Sequence, residues 1–353
     1  AGASYFDALE ILYDMTGGTL DVFDVPLVRK IGEYIMSVHI HDDYFIPFAD
    51  AHLRLKLEYV LAARFGRRTG SVALEHFGIS GYARNRSNPL AISVRLTASH
   101  PYRSIKNLYD VPVGNAGYSH PLRVWIEGIQ VMAQRQHADT GRGLFLAVKG
   151  GNNAEQHNHN DIGNFIVYAD GEPLIIDVGV GTYCKATFGS ERYTIWSMRS
   201  SYHNLPDING VEQPPGVEYA AKTVVCNETD GSLTMDLSAA YPSEARVEKY
   251  VRTATLSGEQ VCITDNIALR GAGEIHFNIM LADRPTLVEK GTVELRGGYV
   301  LSFDSTLTAA LEVIPLTDDG LRNDWQREQL YRLRLTAENM QTGVYEMCVR
   351  RGS

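Results

Sequence analysis

The chain has 353 residues, of which 44% are hydrophobic and 21% charged, an ordinary composition for a globular protein. Its 33 basic and 42 acidic residues give a net charge of −9, which argues against a general nucleic-acid-binding protein. No apolar run approaches the ~20 residues of a membrane-spanning helix. The chain opens in the middle of a helical pattern, so we expect it to be part of a longer protein.

The first third of the chain has the apolar periodicity of α-helices. The predicted helices begin after Ser4 and end at Gly17, begin after Asp24 and include Val38, run from about Ala51 to Phe65, and run from Ser71 to Phe77. Short glycine turns between helices are typical of antiparallel helical hairpins. Four helices are too few to enclose a core, so we expect them to pack on the rest of the chain or on further helices.

From about Arg123 onward, short β-rich runs alternate with turn pairs such as Asp170-Gly171. About a dozen such runs occur without helical patterns between them, which favours a large antiparallel two-sheet sandwich. A stretch rich in glycine, serine and proline, from Val113 to Pro121, separates the two textures. We therefore predict an α+β protein with a helical domain over residues 1–115 and a β-sandwich over residues 122–353.

The stretch NNAEQHNHNDIGNF at 152–165 contains two histidines, His157 and His159, two residues apart. On an extended backbone both imidazoles point the same way. The Asp170-Gly171 pair predicts a two-residue hairpin that places Asp177 nearly opposite Asn164. A site shared with His159 then requires the chain to bend, and Gly163 is the natural place.

Further along, the stretch MRSSYHNLP contains His203. Together, His159, Asp177 and His203 would supply two imidazoles and a carboxylate, a ligand set suited to zinc with water in the fourth place. The alternative is that each polar residue caps a turn independently. We favour the metal, because burying the aspartate of an apolar run without a partner is costly.

A second histidine pair, His39 and His41, is predicted to lie at the end of a helix. Residues two apart on a helix point about 200° apart, so these two imidazoles are unsuited to one ion. We interpret them as helix-terminal cations beside Asp42 and Asp43. The four cysteines, at 184, 226, 262 and 348, form no C-x-x-C pair, and we interpret them as buried reduced thiols.

These motifs resemble the heparinase II/III family of polysaccharide lyases and the related alginate lyases. The resemblance rests on HNHNDIGNF at 157–165, LIIDVGVGTY at 174–183 and SSYHNLPDINGVEQ at 200–213. The segment at 4–18 resembles a closing helix of that family's incomplete α/α toroid, and the run from Trp325 to Leu333 resembles the last sandwich strands. The implied fold is the N-terminal helical remnant of such a toroid packed on a large antiparallel two-sheet β-sandwich.

The implied activity is cleavage of a uronic-acid-containing glycan by β-elimination, in which the C5 proton is removed and the 4-linked sugar leaves. Matched residue by residue, Tyr5 takes the place of the toroid tyrosine that serves as acid or base, and His157 that of the assisting sandwich histidine. Tyr5 would lie in the first turn of its helix, where the helix dipole favours a phenolate. Simple packing at a chain end is the alternative for Tyr5.

The resemblance also gives His159, Asp177 and His203 the role of metal ligands. The ion would be zinc or another divalent cation in a structural role, and it would fix the loop that carries His157. Three basic residues between the matched ligands, Lys185, Arg192 and Arg199, are candidates for contacts to sugar carboxylates, because arginine binds carboxylates bidentately. Surface solvation is the alternative for these three.

The implied partner is an anionic uronic-acid polysaccharide or oligosaccharide, with no nucleic acid and no membrane, and a homodimer is left open. The implied setting is bacterial carbohydrate degradation in the periplasm or outside the cell, with the cytoplasm as the alternative. In this family, residues that neutralise the uronate carboxylate precede the tyrosine, whereas only AGAS precedes Tyr5. We therefore expect the C-terminal portion of a lyase, weak or inactive as an isolated chain.

Two other interpretations remain open. Gly151, five further residues and the H-x-H pair resemble the first motif of cupin metal oxygenases, but Gly163 and Asn164 stand where a glutamate is expected. The second cupin motif is also missing, and iron rather than zinc would revive this hypothesis. The third interpretation is a non-catalytic carbohydrate-binding or assembly module, which would bind glycan without cleaving it.

Overall fold

The computed structural model describes residues 2–85, 100–138, 141–227 and 229–352. The chain divides into two compact units, Ala1–His39 with Leu55–Pro121, and Ile40–Arg54 with Leu122–Ser353. The second unit thus includes a segment from the part of the sequence in which only helices were predicted. The predicted helical domain, 1–115, also covers residues 86–99, which lie outside the described residues.

The described part of the first unit is helical. Its helices are α1 (Gly2–Met15), α2 (Pro26–Ser37), α3 (Tyr59–Arg68), α4 (Val72–Asn85) and α5 (Pro101–Tyr109). The fourth helix was predicted to end at Gly78, but α4 continues through it. A Cβ atom at Gly78 would lie 2.3 Å from the backbone nitrogen of Ala63, so this glycine allows α3 and α4 to pack closely. Phe6, Phe65, Leu74 and Phe77 are among the buried residues of this unit's core.

The predicted environment of the second histidine pair is wrong. The helix ends at Ser37, and His39–His41 form a short strand, β1, paired with β2 (Tyr44–Phe45). The imidazole of His39 is buried, and its ring stacks on that of His120 at 4.9 Å. The pair therefore lies in a strand and not at a helix end, although His41 does lie beside Asp42, at 3.5 Å.

The described part of the second unit consists mainly of antiparallel strands. After β1 and β2 these are β3 (Arg123–Ile126), β4 (Val131–Arg135), β5 (Leu144–Lys149), β6 (Asn152–Asn153), β7 (Phe165–Ala169), β8 (Glu172–Ile175), β9 (Pro206–Ile208), β10 (Gly216–Ala220), β11 (Lys222–Asn227), β12 (Ser232–Asp236), β13 (Val247–Ser257), β14 (Gln260–Leu281), β15 (Thr286–Glu289), β16 (Thr292–Leu295), β17 (Tyr299–Phe303), β18 (Thr308–Pro315) and β19 (Gln329–Arg351). Helix α6 (Asp319–Trp325) precedes β19, and four short 3-10 turns lie between residues 185 and 202.

Two long strands organise the main sheet, whose central order is β15-β16-β17-β19-β14-β8-β7-β5-β4-β3. Strand β14 pairs with β19 from Gln260↔Arg350 to Leu281↔Tyr331, with irregularities near Gly273. Residues buried on these strands include Ile263, Ile275, Phe277 and Leu335, and they join one large apolar core. The prediction of an α+β protein with a large antiparallel sheet is confirmed. No helix in the described ranges is long and apolar enough to cross a membrane.

The interpretation of all four cysteines as reduced thiols is wrong for one pair. Cys262 on β14 and Cys348 on β19 are direct cross-strand neighbours and form a disulfide. Their separation of 86 residues hides this adjacency from the sequence. Cys184 and Cys226 are not disulfide-bonded, but Cys184 is exposed and Cys226 is half-buried, so their predicted burial is wrong.

Candidate metal and active site

The hairpin that the sequence predicts is present between β7 and β8. Asp170 and Gly171 have φ angles of 51° and 81°, the left-handed pair that a tight two-residue turn requires. Ala169 pairs with Glu172 across this turn. Beyond the paired residues, Asn164 Nδ2 donates to Asp177 Oδ2 at 2.7 Å, so the predicted proximity of these two side chains is confirmed.

The structure brings His159, Asp177 and His203 together. One potential ligand atom from each lies within 4.8 Å of the others, and all three side chains are fully buried. His203 Nδ1 lies 3.2 Å from Asp177 Oδ2, and the two imidazole rings are 5.4 Å apart. Three residues spread over 45 positions thus form one compact cluster at the end of the β7–β8 hairpin.

The chain reaches this cluster by bending at Gly163, as the sequence suggests. Its φ angle is 90°, and a Cβ atom there would lie 2.5 Å from a methyl group of Leu237. Asn204, next to His203, holds the other side of the cluster. Its side-chain amide donates to the carbonyl oxygens of Phe165 and Ile176 at 2.5 and 2.8 Å, and its backbone nitrogen binds Asn164 Oδ1 at 2.9 Å.

A buried arginine on β13 ties the two site segments to the sandwich. One terminal nitrogen of Arg252 donates to the carbonyl oxygens of Gly163 and Asn204, each at 2.8 Å. Its other donors bind both oxygens of Asp265 at 2.7 Å in a bidentate pair. Because both charges are buried, this pairing fixes the positions of the segments that carry His159 and His203.

Two nitrogen atoms of the cluster are buried without a hydrogen-bond partner, His159 Nδ1 and His203 Nε2. Burial lowers the pKa of His159. For His203, burial opposes the charged form, but the Asp177 carboxylate outweighs it and raises the pKa. For Asp177, burial is outweighed by the charge and hydrogen bond of His203, which lower the pKa. The cluster therefore holds one anionic carboxylate beside imidazole nitrogens that have unused lone pairs or protons.

The adjacent loop is held by a buried ion pair. Lys149 on β5 is 3% exposed and binds Asp161, whose carboxylate is fully buried, with Glu155 3.6 Å away. Burial opposes the charge on Lys149, yet its carboxylate neighbours, Asp161 first, raise its pKa. This pair fixes the loop between His157 and Gly163.

An unexpected residue, Asp50, connects the two histidines of the H-x-H pair. It lies in the segment Ile40–Arg54, which belongs to the same unit as the sandwich. Asp50 Oδ2 lies 2.8 Å from His157 Nδ1, and Asp50 Oδ1 lies 3.2 Å from His159 Nε2. Burial would raise the pKa of Asp50, but hydrogen bonds from His159, Arg192 and His157 outweigh burial and lower it well below its usual range.

His157 differs from its buried neighbour in being accessible. Its side chain is 55% exposed, and its Nε2 has no hydrogen-bond partner among the described residues. A cleft of about 290 Å³ lies beside it, lined in part by Gln156, Phe188 and Tyr193. The ring of Tyr183 lies 6.4 Å from that of His157, and its hydroxyl donates to Asp50 at 3.1 Å. The imidazole of His157, the phenol of Tyr193 and the exposed ring of Phe188 therefore line one opening. Tyr183 binds the Asp50 partner of that imidazole.

The three basic residues predicted to contact substrate occupy different environments. Arg192 donates to Asp50 at 2.5 Å and to the carbonyl oxygens of Asn158 and Thr187, so its donors are engaged within the protein. Arg199 pairs with Glu212. Lys185 is exposed, with no partner among the described residues, and it follows Tyr183 by two positions. Substrate contact by any of these three stays a prediction.

Tyr5, the predicted acid or base, lies in the first turn of α1 as expected, and its side chain is 38% exposed. The two residues that follow Tyr5 anchor the helix. The ring of Phe6 stacks on that of Phe65 at 4.4 Å, and Asp7 Oδ2 accepts a hydrogen bond from Arg103 Nη2 at 2.6 Å. Its catalytic role stays a prediction.

Comparison with known proteins identifies the group to which this site belongs. The sequence profile of the Heparinase II/III-like C-terminal family matches residues 128–335, which is more than half of the chain and contains every residue of the buried cluster. The chain belongs to the heparinase II/III-like family. No curated protein matches the sequence significantly.

Solved structures of heparinase-like enzymes share the fold. The heparan sulfate lyase HepC from Pedobacter heparinus has a TM-score of 0.67 at 14% identity, over 92% of this chain and 46% of that one. A heparinase III gene product gives 0.67 at 12%, over 91% and 45%. A Streptomyces coelicolor chondroitin AC lyase, solved with chondroitin sulfate, gives 0.50 at 11%, over 93% and 48%. The chain thus spans about half the length of these heparinase-like structures.

Three residues of this heparinase-like site were not assigned from the sequence. Asp50 gave no local signal, because it precedes a stretch predicted as a helix and its partners lie more than 100 positions away. Tyr183 closes the quoted motif LIIDVGVGTY but was given no role. Lys149 ends a predicted strand, and its contact with Asp161 depends on how the loop between them folds.

Proposed function

We propose that this chain is the C-terminal portion of a polysaccharide lyase that cleaves a uronic-acid-containing glycan by β-elimination. The observation that carries the proposal is His157, an accessible imidazole with an open Nε2, held at the rim of a cleft beside a buried cluster in a heparinase II/III-like chain. A proton-transfer group needs this combination of access and fixed orientation. Membership of the heparinase II/III-like family supports this reaction class.

The chemistry requires removal of a weakly acidic proton beside a carboxylate. Loss of the C5 proton places negative charge on the uronate carboxylate, and the bond from C4 to the linking oxygen then breaks as the double bond forms. His157 Nε2 would exchange a proton at the sugar, and Tyr5 would act as the acid or base that the family places on its helices. A phenol with a pKa of ~10 needs a partner that takes up its proton to ionise at neutral pH.

The buried cluster fits a divalent cation, and we assign its ligands as His159, Asp177 and His203. Support comes from the donor set, two imidazoles and a carboxylate, and from two imidazole nitrogens that are buried without a hydrogen-bond partner. Zinc suits these ligands, and when bound it would supply charge that cross-links the two site segments. His157, two residues away, would keep its position because His159 is held.

We further propose that the first unit is part of a larger helical toroid in the parent protein. Its helices expose apolar side chains that a completed helical layer would cover, among them Ile11, Leu12, Met15 and Leu27. The residues that neutralise the uronate carboxylate would then come from the rest of the parent. The isolated chain should accordingly be weak or inactive.

The proposed partner is an anionic uronate polysaccharide or oligosaccharide, with Lys185 as the best placed of the three predicted basic contacts because no described residue occupies it. We also propose that the protein works in the periplasm or outside the cell. The Cys262–Cys348 disulfide supports this location, since disulfides persist in oxidising compartments.

Absorbance of the unsaturated product tests the activity. The full-length parent should release it from at least one member of a panel of uronate polymers, and this chain alone should release little. In the parent, His157→Ala should lower kcat by about 10²–10⁴-fold, the usual range for a proton-transfer group. His52→Ala is a matched control, because His52 is also 55% exposed and bound to a carboxylate. A parent that binds the polymers without cleaving them would favour the carbohydrate-binding module instead.

A further inference from the structure

The two oxygens of Asp50 face different histidines. Oδ2 lies 2.8 Å from His157 Nδ1 and receives the Tyr183 hydroxyl at 3.1 Å. Oδ1 lies 3.2 Å from His159 Nε2 and receives Arg192 at 2.5 Å. An ionised carboxylate accepts hydrogen bonds and donates none, so each facing imidazole nitrogen carries a proton.

The two histidines present opposite nitrogens to this one carboxylate. His157 is therefore protonated on Nδ1, which leaves the lone pair on Nε2 at the open cleft. His159 is protonated on Nε2, which leaves the lone pair on Nδ1, the atom that is buried without a partner. We propose that Asp50 is a positioning residue that sets both tautomers, so that His157 offers Nε2 to substrate and His159 offers Nδ1 to a divalent cation.

The backbone around these residues supports a positioning role. Ala49, immediately before Asp50, has a φ angle of 57°, and His157 has a φ angle of 58°. A residue other than glycine in this left-handed region costs of order 1–3 kcal/mol and persists where its surroundings hold it. Strain thus occurs on both sides of the Asp50–His157 hydrogen bond.

Arg192 completes the arrangement by holding the carboxylate itself. Two of its other nitrogens donate to the carbonyl oxygens of Asn158 and Thr187, each at 2.7 Å, so the guanidinium is fixed while the third binds Asp50. The side chain of Asp50 is 4% exposed, which places it behind the histidines rather than in the cleft. A group in that place acts through His157 and His159 and not on the sugar.

Nitrogen-15 NMR of histidine side chains in this chain tests the tautomers directly. Above neutral pH, wild-type resonances assigned with His157→Gln and His159→Gln variants should show His157 protonated on Nδ1 and His159 on Nε2. Asp50→Asn should disturb both patterns, because its amide can donate as well as accept, whereas Asp50→Glu should retain them. Asp43→Asn is the control, since Asp43 lies in the same segment and pairs with Arg54 instead. The opposite tautomer on either wild-type histidine would overturn the proposal without any variant.

Zinc binding and kinetics add readouts that simple destabilisation would not produce. Asp50→Asn should weaken zinc binding to this chain by about 10–100-fold, as loss of an outer partner of a ligating histidine does. In the parent, it should lower kcat with little change in KM. Unchanged tautomers and zinc affinity in Asp50→Asn would overturn the positioning role even if the parent is a lyase. The kinetic part rests on the proposed function. If the tautomers are as expected but the parent catalyses no elimination, the positioning role of Asp50 stands and the lyase proposal is refuted.

Discussion

Asn164 binds Asp177 at 2.7 Å through one end of its side-chain amide and the backbone nitrogen of Asn204 at 2.9 Å through the other. It therefore joins the carboxylate of the cluster to the segment that carries His203. A cupin-type site would have a metal-binding carboxylate near this position. In this chain a neutral amide stands there, and it supports a ligand from behind.

Replacing Asn164 with alanine should lower the free energy of unfolding by about 2–4 kcal/mol, because two buried hydrogen bonds are lost and a small cavity remains. Asn164→Asp should be at least as harmful, since a second carboxylate would face Asp177. Urea unfolding measures both. Asn323→Ala, at an exposed position on α6, should stay within about 0.5 kcal/mol of wild type, and a similar effect at the two sites would contradict the prediction.

Metal removal should destabilise this protein. We expect about one zinc per chain by elemental analysis, and a chelator should lower the melting temperature, because binding to the folded state alone stabilises it. His159→Ala and His203→Ala should lose both the metal and the response to chelator. His276→Ala should keep both the metal and the response to chelator, because His276 is bound to Thr336 on the sheet. Iron in place of zinc would revive the oxygenase hypothesis.

Breaking the Arg252–Asp265 pair should cause a large loss of stability, part of which a second substitution should restore. Arg252→Met leaves the fully buried Asp265 without its partner and should cost about 3–5 kcal/mol. It should also reduce zinc content, because Arg252 holds Gly163 and Asn204. The double variant Arg252→Met with Asp265→Leu should recover part of the stability but not the zinc. Arg350→Met, at an exposed position of β19, is the control.

Breaking the disulfide should destabilise the sandwich by about 2–4 kcal/mol. Reductant should lower the melting temperature of wild type and leave that of the Cys262→Ser, Cys348→Ser double variant unchanged. Since both cysteines lie far from the cluster in the strand register, zinc content should survive reduction. Loss of zinc on reduction would show that this end of the sheet influences the site.

A buried carboxylate on β9 predicts a specific pH dependence. Burial raises the pKa of Asp207 from 3.8 to about 6, despite hydrogen bonding to Asn278. The folded state therefore keeps its proton where the unfolded chain has lost it, so stability falls as pH rises from about 4 to about 6. The fall amounts to about 3 kcal/mol at about 1.4 kcal/mol per pH unit.

Comparison of wild type with Asp207→Asn isolates this contribution. The variant should gain stability relative to wild type as pH rises through that range, measured by urea unfolding at several pH values. The exposed Asp319→Asn variant should show a flat difference. A flat difference for Asp207→Asn as well would contradict the raised pKa.

Local patterns in the sequence were sufficient for much of the fold and of the cluster. Strands such as β13 and β14 were predicted from β-rich runs in the sequence, and their residues alternate between buried and more exposed positions. The Asp170-Gly171 pair specifies the turn that places Asn164 beside Asp177. These features depend on neighbours within a few residues or across one tight turn. The convergence of His203 was predicted from its chemistry and from the family resemblance.

The features that were not predicted depend on contacts between residues far apart in the sequence. The segment containing Asp50 was assigned to the helical domain, yet it belongs with residues over 100 positions later. Gly78 was predicted to end its helix. The glycine instead allows close contact with Ala63, which lies on another helix and leaves no trace in the neighbouring sequence. Cys262 and Cys348 meet only through the register of two long strands. In each case the deciding contact is absent from the local periodicity.

That register also governs the order in which the protein can be built. Strand β19 pairs with β14, β17 and β18, so three strands await a partner that is synthesised after them. During synthesis the edges of these strands that pair with β19 would remain unpaired until residues 329–351 have left the ribosome, because non-local pairing cannot begin sooner. Closure of the sandwich therefore waits for a strand that is made after its three partners, and chaperone binding to nascent chains should persist until β19 emerges.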